Sequence, residues 1–312
     1  MANKDKFEYK CTLKPETLEI AKKELNEDPD TRMLELKAFR DRLQQYPGLR
    51  PRLDPQFLIK FLRSRKFDQE KAFELMLNYY RMRKEDPEIF TGLKPSNVLH
   101  VYKSHMSYPH THRDKLGRRV YLIFPARMDT THYTAAEAFK TEFINLNKMS
   151  EDEESQVRGY TLLIDYKDFG MSHFMQLNLA FGKRVGKIWQ DTFPARMKNC
   201  LIVNEPHFID LVMGLFTQFM KDKLVNRIRR LGTDWKKLHE YIDPACLPPE
   251  YGGTLTQEPD PEAWVQTLVQ SDHEMEEESK YGFVDYTIGH ETNKKDQDAI
   301  TNMAGTFRKL NV

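Results

Sequence analysis

The chain has 312 residues, 39% hydrophobic and 30% charged, with a mean hydropathy of −0.70. It can build a sizeable core, as one large domain or two smaller ones, and no run of 18 apolar residues reads as a membrane span. Net charge is only +1, but residues 196–237 hold nine Lys/Arg against four Asp/Glu, and residues 256–312 hold five against twelve, so the local charge says more about partners than the total.

The first ninety residues read as short helix–turn–helix units. Residues 16–26 are charged, with apolar Leu18, Ala21 and Leu25. Asp30-Thr31 can cap a second helix whose stripe is Leu34, Phe39 and Leu43, ending before Tyr46-Pro47-Gly48. Asp54-Pro55 opens a third, with Phe57, Leu58, Phe61 and Leu62 at helical spacing. Asp68 caps a fourth, with Ala72, Leu75, Met76, Tyr79 and Tyr80 inward. Residues 120–124, 160–164 and 200–203 are near-continuous apolar strands, the pattern of a sheet covered on both faces. A helix over about 172–190 lies between the last two, making a βαβ unit. After Pro259 the chain is acidic, helical over 262–270, and its runs at 274–278 and 293–298 read as solvated.

Chemistry-bearing motifs are absent: there is no GxGxxG, GxxxxGK[ST], GxSxG or HExxH. His105, His110 and His112 with Asp114 fall in a Pro- and charge-rich loop, and read as solvated histidines rather than a metal site. Cys200 sits in an apolar strand and reads as a buried, inert thiol. Asp165, Lys167 and Asp168 follow a strand end without a nucleophile or phosphate loop, which suits a turn. Three scattered cysteines and a charged Met1–Lys10 without an apolar stretch point to the cytosol. No catalytic residue, cofactor, metal or nucleic-acid partner is expected.

The most informative stretch is 204–230. Residues 207–220 read as a helix with a wide apolar face of Phe208, Ile209, Leu211, Val212, Leu215, Phe216, Phe219 and Met220. Beyond it, Lys223, Arg227 and Arg230 share one helical face and Leu224, Ile228 and Leu231 another. An apolar stripe joined to a cationic face fits an element lying on anionic lipid.

Four stretches, in this order, resemble the CRAL-TRIO (Sec14-like) lipid-transfer family: FLRSRKFD at 61–68, DTFPARMK at 191–198, VNEP at 203–206 and LPPEYGG at 247–253. The resemblance spans roughly residues 15–270 and is strongest to the family's tocopherol- and retinaldehyde-binding branches. It implies an α/β fold: an N-terminal helical domain (1–92), a Sec14-like lipid-binding domain (93–256) with a mostly parallel sheet and a mobile lid helix, and an acidic C-terminal helix and tail (257–312). It implies a monomeric, non-enzymatic cytoplasmic carrier, peripheral at membranes. The cargo would be one tocopherol, retinoid, carotenoid or similar isoprenoid. A phospholipid exchanger and a cargo-free interaction module are the alternatives. Mapped onto this chain, the lipid site takes Phe139, Phe143, Leu146, Tyr160, Ile164, Phe169, Leu177, Val185, Ile188, Trp189 and Phe193, with Leu211 and Phe216 from the lid. The phosphoinositide site takes Arg65, Arg196, Lys198, Lys223 and Arg227. Where the tocopherol branch has two serines, this chain has Glu142 and Leu146, so Glu142 either points to solvent or meets a polar ligand head. A closed apolar cavity of roughly 300–1,000 Å³ is expected.

Overall fold

The computed structural model describes residues 7–257 and 259–284. Helices α1 (Pro15–Leu25), α2 (Arg32–Gln44), α3 (Pro55–Ser64) and α4 (Gln69–Glu85) come first. Their starts follow from local chemistry. Pro15 and Pro55 occupy first turns, where a missing N–H is harmless. The side chains of Asp54 and Asp68 accept from the backbone N–H groups of Phe57 and Lys71. The expected stripes of α3 and α4 are buried. In α2, Leu34 is 69% exposed and Leu36 takes its place inside, because Leu36, Phe39 and Leu43 hold the i, i+3, i+7 spacing that Leu34 breaks.

Short helices α5 (Pro87–Phe90) and α6 (Leu99–Tyr102) lead into a five-stranded sheet. Its strands are β2 (Ser107–Arg113), β3 (Arg119–Ile123), β4 (Tyr160–Asp165), β5 (Met197–Val203) and β6 (Ile228–Gly232), side by side in that order. β2 runs antiparallel to β3, and the remaining pairings are parallel. The crossovers are helical, as parallel strands require: α7 (Ala135–Met149) and α8 (Glu153–Arg158), then α9 (Met171–Gln176) and α10 (Leu179–Lys187), then α11 (Ile209–Thr217) and α12 (Asp222–Val225). After α13 (Trp235–Tyr241), α14 (Pro261–Val269) and α15 (Asp272–Glu278), strand β7 (Gly282–Phe283) pairs with β1 (Leu49–Arg50) beside the N-terminal helices.

Both sheet faces are covered. Val120, Leu122, Leu163, Leu201, Val203 and Leu231 pack with Leu238, Ile242, Leu247 and Tyr251. On the other face Tyr121, Leu162, Cys200 and Ile202 join the main core with α7 and the N-terminal helices.

Several expectations need correction. Residues 107–113 are a strand, not a loop: β2 lies at the sheet edge, where Pro109 removes no ladder bond the sheet depends on. His110 is therefore buried, and its Nδ1 accepts from the His112 N–H. Burial, with the neighbouring His112 charge, pushes its imidazole down to about 4. Residues 228–232 read as the continuation of a basic helix but form β6, since pairing with β5 outweighs a short helical periodicity. The helix expected over 172–190 breaks at Leu177, because the Asn178 side chain caps a new start by accepting from the Phe181 N–H. The run at 274–278 is not simply solvated: Met275 and Glu278 are buried, and Glu278 pairs with Arg52 and Arg83. The run at 293–298 lies outside the described residues.

Candidate functional site

Between the sheet, α7, the α9–α10 layer and α11 lies a cavity of about 200 Å³. Of the sequence-derived candidates, Phe139, Phe143 and Leu146 reach it from α7 and Ile164 from the sheet. Phe169, Leu177, Val185, Ile188 and Trp189 line it from the β4–β5 crossover, and Phe216 from α11. Three candidates lie elsewhere. Tyr160 is on the sheet face of Leu162 and Ile164 but at the strand's first residue, where its hydroxyl donates to the Met149 carbonyl. Phe193 belongs to an aromatic cluster joining α4 to α7, 5.4 Å from Phe143 and 6.5 Å from Tyr79. Leu211 is 44% exposed, because α11 is apolar nearly all round: Ile209, Val212 and Leu215 are buried, Met213 and Phe216 face the cavity, and Leu211 is left outside.

The cavity is smaller than the expected range. Four methionines the sequence reading missed, Met106, Met128, Met197 and Met213, line it together with Met220 from the apolar face of the 207–220 stretch. Met106, Met128 and Met197 come from two loops and a strand, so no periodicity marks them. Their unbranched, polarisable side chains adapt to the shape of a guest. Cys200 also faces the cavity, its thiol pushed up to about 12 by burial.

Glu142 resolves in favour of the cavity. It lies on α7 against β2 and β3, its carboxyl is buried, and it is one of the residues that line the cavity. Ser107 and Tyr121 donate hydroxyl hydrogen bonds to it, the latter at 2.6 Å. Asn145 continues the network, donating to Tyr121 at 2.9 Å and accepting from the Trp264 indole at 2.9 Å. Burial pushes the Glu142 carboxyl above its ordinary range, while the two hydroxyls oppose the shift. The cavity thus has one carboxyl in a mostly apolar wall, with His173 elsewhere in the lining, and among the described residues no Lys or Arg lines it.

Helix α11 forms one wall of the cavity and sits directly on α10. A Cβ at Gly182 would overlap the Leu215 carbonyl oxygen, and one at Gly186 would lie 2.9 Å from that of Phe219. Glycine at both positions lets the two backbones touch. Gln190 fastens the far end: its amide donates to the Phe219 carbonyl at 2.7 Å and its oxygen accepts from the Lys221 N–H.

The five basic candidates form one surface cluster. Burial first, then the charges of Arg227, Lys66, Arg196 and Arg65, push the Lys223 amine below its ordinary value. Arg118 bears on Arg196, Lys198 and Arg227 in the same way, so Lys66 and Arg118 are members that sequence reasoning missed. Arg196 and Lys198 share one counter-ion from α1, Glu24, at 3.1 and 3.0 Å. Burial alone would raise the Glu24 carboxyl, but these partners hold it below its ordinary value. Arg65 donates to the backbone carbonyl of Gln190 at 2.7 Å, so the cluster touches the residue that fastens α11.

The turn reading of 165–168 holds. Asp165 accepts from Asn204 at 2.8 Å and from the Tyr251 hydroxyl at 2.6 Å, which ties the VNEP and LPPEYGG stretches to the end of β4.

Residues 103–253 match the CRAL/TRIO domain, and residues 28–98 match the Pinta-like, UBA domain. The chain is 35% identical over 271 residues to alpha-tocopherol transfer protein-like of Homo sapiens, covering 86% of this chain and 79% of that one. The chain belongs to the CRAL/TRIO family of lipid-binding transfer proteins. Another CRAL/TRIO relative, Clavesin-2 of Homo sapiens, is 33% identical, covering 88% of this chain and 84% of its own. The crystal structure of Sfh5 covers 78% of this chain at a TM-score of 0.43 and 15% identity. Among the described residues no helix is long and apolar enough to cross a membrane.

Proposed function

We propose that this protein is a non-enzymatic cytoplasmic carrier that holds one isoprenoid-type lipid beneath α11 and releases it at phosphoinositide-containing membranes. The observation that carries the reading is the mostly apolar cavity beneath α11 with a single carboxyl in its wall. A cargo-free module would have filled that space with side chains. A phospholipid carrier needs cations for its phosphate, and among the described residues the cavity wall has His173 but no Lys or Arg. Glu142 suits a cargo with one hydroxyl, which it accepts from when ionised, or one carbonyl, to which it donates when protonated. A tocopherol, a retinol or retinal, and an oxygenated carotenoid satisfy this; a hydrocarbon carotene does not.

Release would begin at the basic cluster. An anionic headgroup competes with Glu24 for Arg196 and Lys198, and engages Arg65, Lys223 and Arg227. Drawing Arg65 away from Gln190 loosens the end of α11. Exposed Met171, Met175 and Leu211, on α9 and α11, then offer an apolar contact to the bilayer. Binding favours the open state only by its differential affinity for that state. Each cation near anionic lipid contributes about 1 kcal/mol, so four or five can bias a lid held by a few kcal/mol.

The test is transfer of a fluorescent tocopherol or retinoid to vesicles with and without phosphoinositide. The wild type speeds up with the anionic lipid. A Lys223→Ala, Arg227→Ala double variant does not, although it binds cargo equally in solution. Equal acceleration of both proteins would reduce the cluster to a solvated surface.

A further inference from the structure

A second chamber, of about 360 Å³, lies between α3, the end of α7 and α15, and shares no lining residue with the apolar cavity. At its wall is the Lys60 amine, on a residue only 5% exposed. Among the described residues Lys60 makes no ion pair. Its ammonium rests 4.4 Å from the centre of the Phe57 ring and has one long hydrogen bond, 3.4 Å, to the Ser150 hydroxyl. The acidic groups around it are engaged elsewhere. Glu278 is held by Arg52 and Arg83, Glu151 and Glu274 share Lys148, and Asp54 pairs with Arg52. A buried ammonium met only by one long hydrogen bond and an aromatic face is under-solvated, which costs stability, and the open chamber beside it leaves room for a ligand that supplies a further acceptor.

We propose that this chamber is a binding site for a small carboxylate or phosphate anion, seated on the Lys60 ammonium, with the Arg52 guanidinium at its edge. The site is independent of cargo and of the basic surface cluster. Burial pushes the Lys60 amine down to about 8; Arg52 adds to this, and Glu278, Glu151 and Asp54 oppose it. Anion binding favours the charged amine, so affinity is full near pH 7, where the proton is already in place, and fades as pH rises beyond 8.

The probes are inorganic phosphate and malonate, each against chloride at matched ionic strength, read as the shift in thermal denaturation midpoint of the full chain. The wild type shifts upward with at least one probe at pH 7, and the shift shrinks above pH 8. Lys60→Met and Lys60→Gln show no probe-specific shift, and Lys60→Met is more stable than wild type without anion. In lysine side-chain NMR, the probe raises the titration midpoint of Lys60. Equal shifts in wild type and both variants, or no shift in the wild type beyond chloride, overturns the site.

Discussion

Replacing Arg63 by alanine is expected to lower unfolding stability by about 3 kcal/mol or more, the scale for removing one partner of a buried ion pair. Arg63 is fully buried. Its guanidinium forks onto Glu27 with two 2.8 Å bonds, and reaches Gln156 at 2.7 Å, Glu153 at 3.2 Å and Tyr9 at 2.8 Å. One side chain thereby ties the segment before α1, the end of α1 and α8 to α3. Glu27 keeps Arg32 at 2.7 Å after the loss, which holds the expected cost at the lower end of the range. Urea denaturation measures it. Arg63→Lys retains the charge but cannot fork, so it should fall between alanine and wild type. A loss under about 1 kcal/mol for alanine would match an exposed pair instead.

Gly182→Val is expected to unseat the lid. Its branched Cβ meets the backbone of Leu215, not the movable tip of a side chain. The closed state must then carry an overpacking cost of about 1–3 kcal/mol, while the open state carries none. That displaces the equilibrium about 5- to 150-fold toward opening. Spontaneous loss of cargo to vesicles lacking phosphoinositide should accelerate by that factor. Gly186→Ala, whose Cβ lies 2.9 Å from the Phe219 oxygen, should show a smaller increase. Unchanged release from Gly182→Val would mean that α11 is not the gate.

What the sequence made legible follows from the kind of signal involved. The helices α3 and α4 carry caps and stripes within ten to seventeen residues, so local rules suffice. The strands β4 and β5, covered on both faces, are long apolar runs. By contrast β2 and β6 are polar and charged, and only pairing with their neighbours makes them strands. The cavity was readable from α7 and the β4–β5 crossover because aromatic and branched residues cluster there. Leu211 was misplaced because an element apolar all round does not reveal which side faces the guest, and Phe193 because its aromatic partners Phe143 and Tyr79 are distant in the chain. Glu142 stood out as a carboxylate on an apolar face, but its partners Ser107 and Tyr121 lie 35 and 21 residues away in the chain, beyond any local pattern.

The central claim is that the cavity holds one lipid, and native mass spectrometry of protein from eukaryotic cells tests it most directly, with wild type beside Ile188→Trp. Ile188 is buried and faces the cavity. Overpacking a solid core costs about 1–3 kcal/mol, whereas filling an empty space costs little. The account predicts a single lipid-sized mass on the wild type, removed by organic solvent. It predicts a cargo-free Ile188→Trp whose denaturation midpoint is close to that of the emptied wild type. A wild type that takes up no lipid, or an Ile188→Trp that keeps its cargo while losing stability, would contradict it.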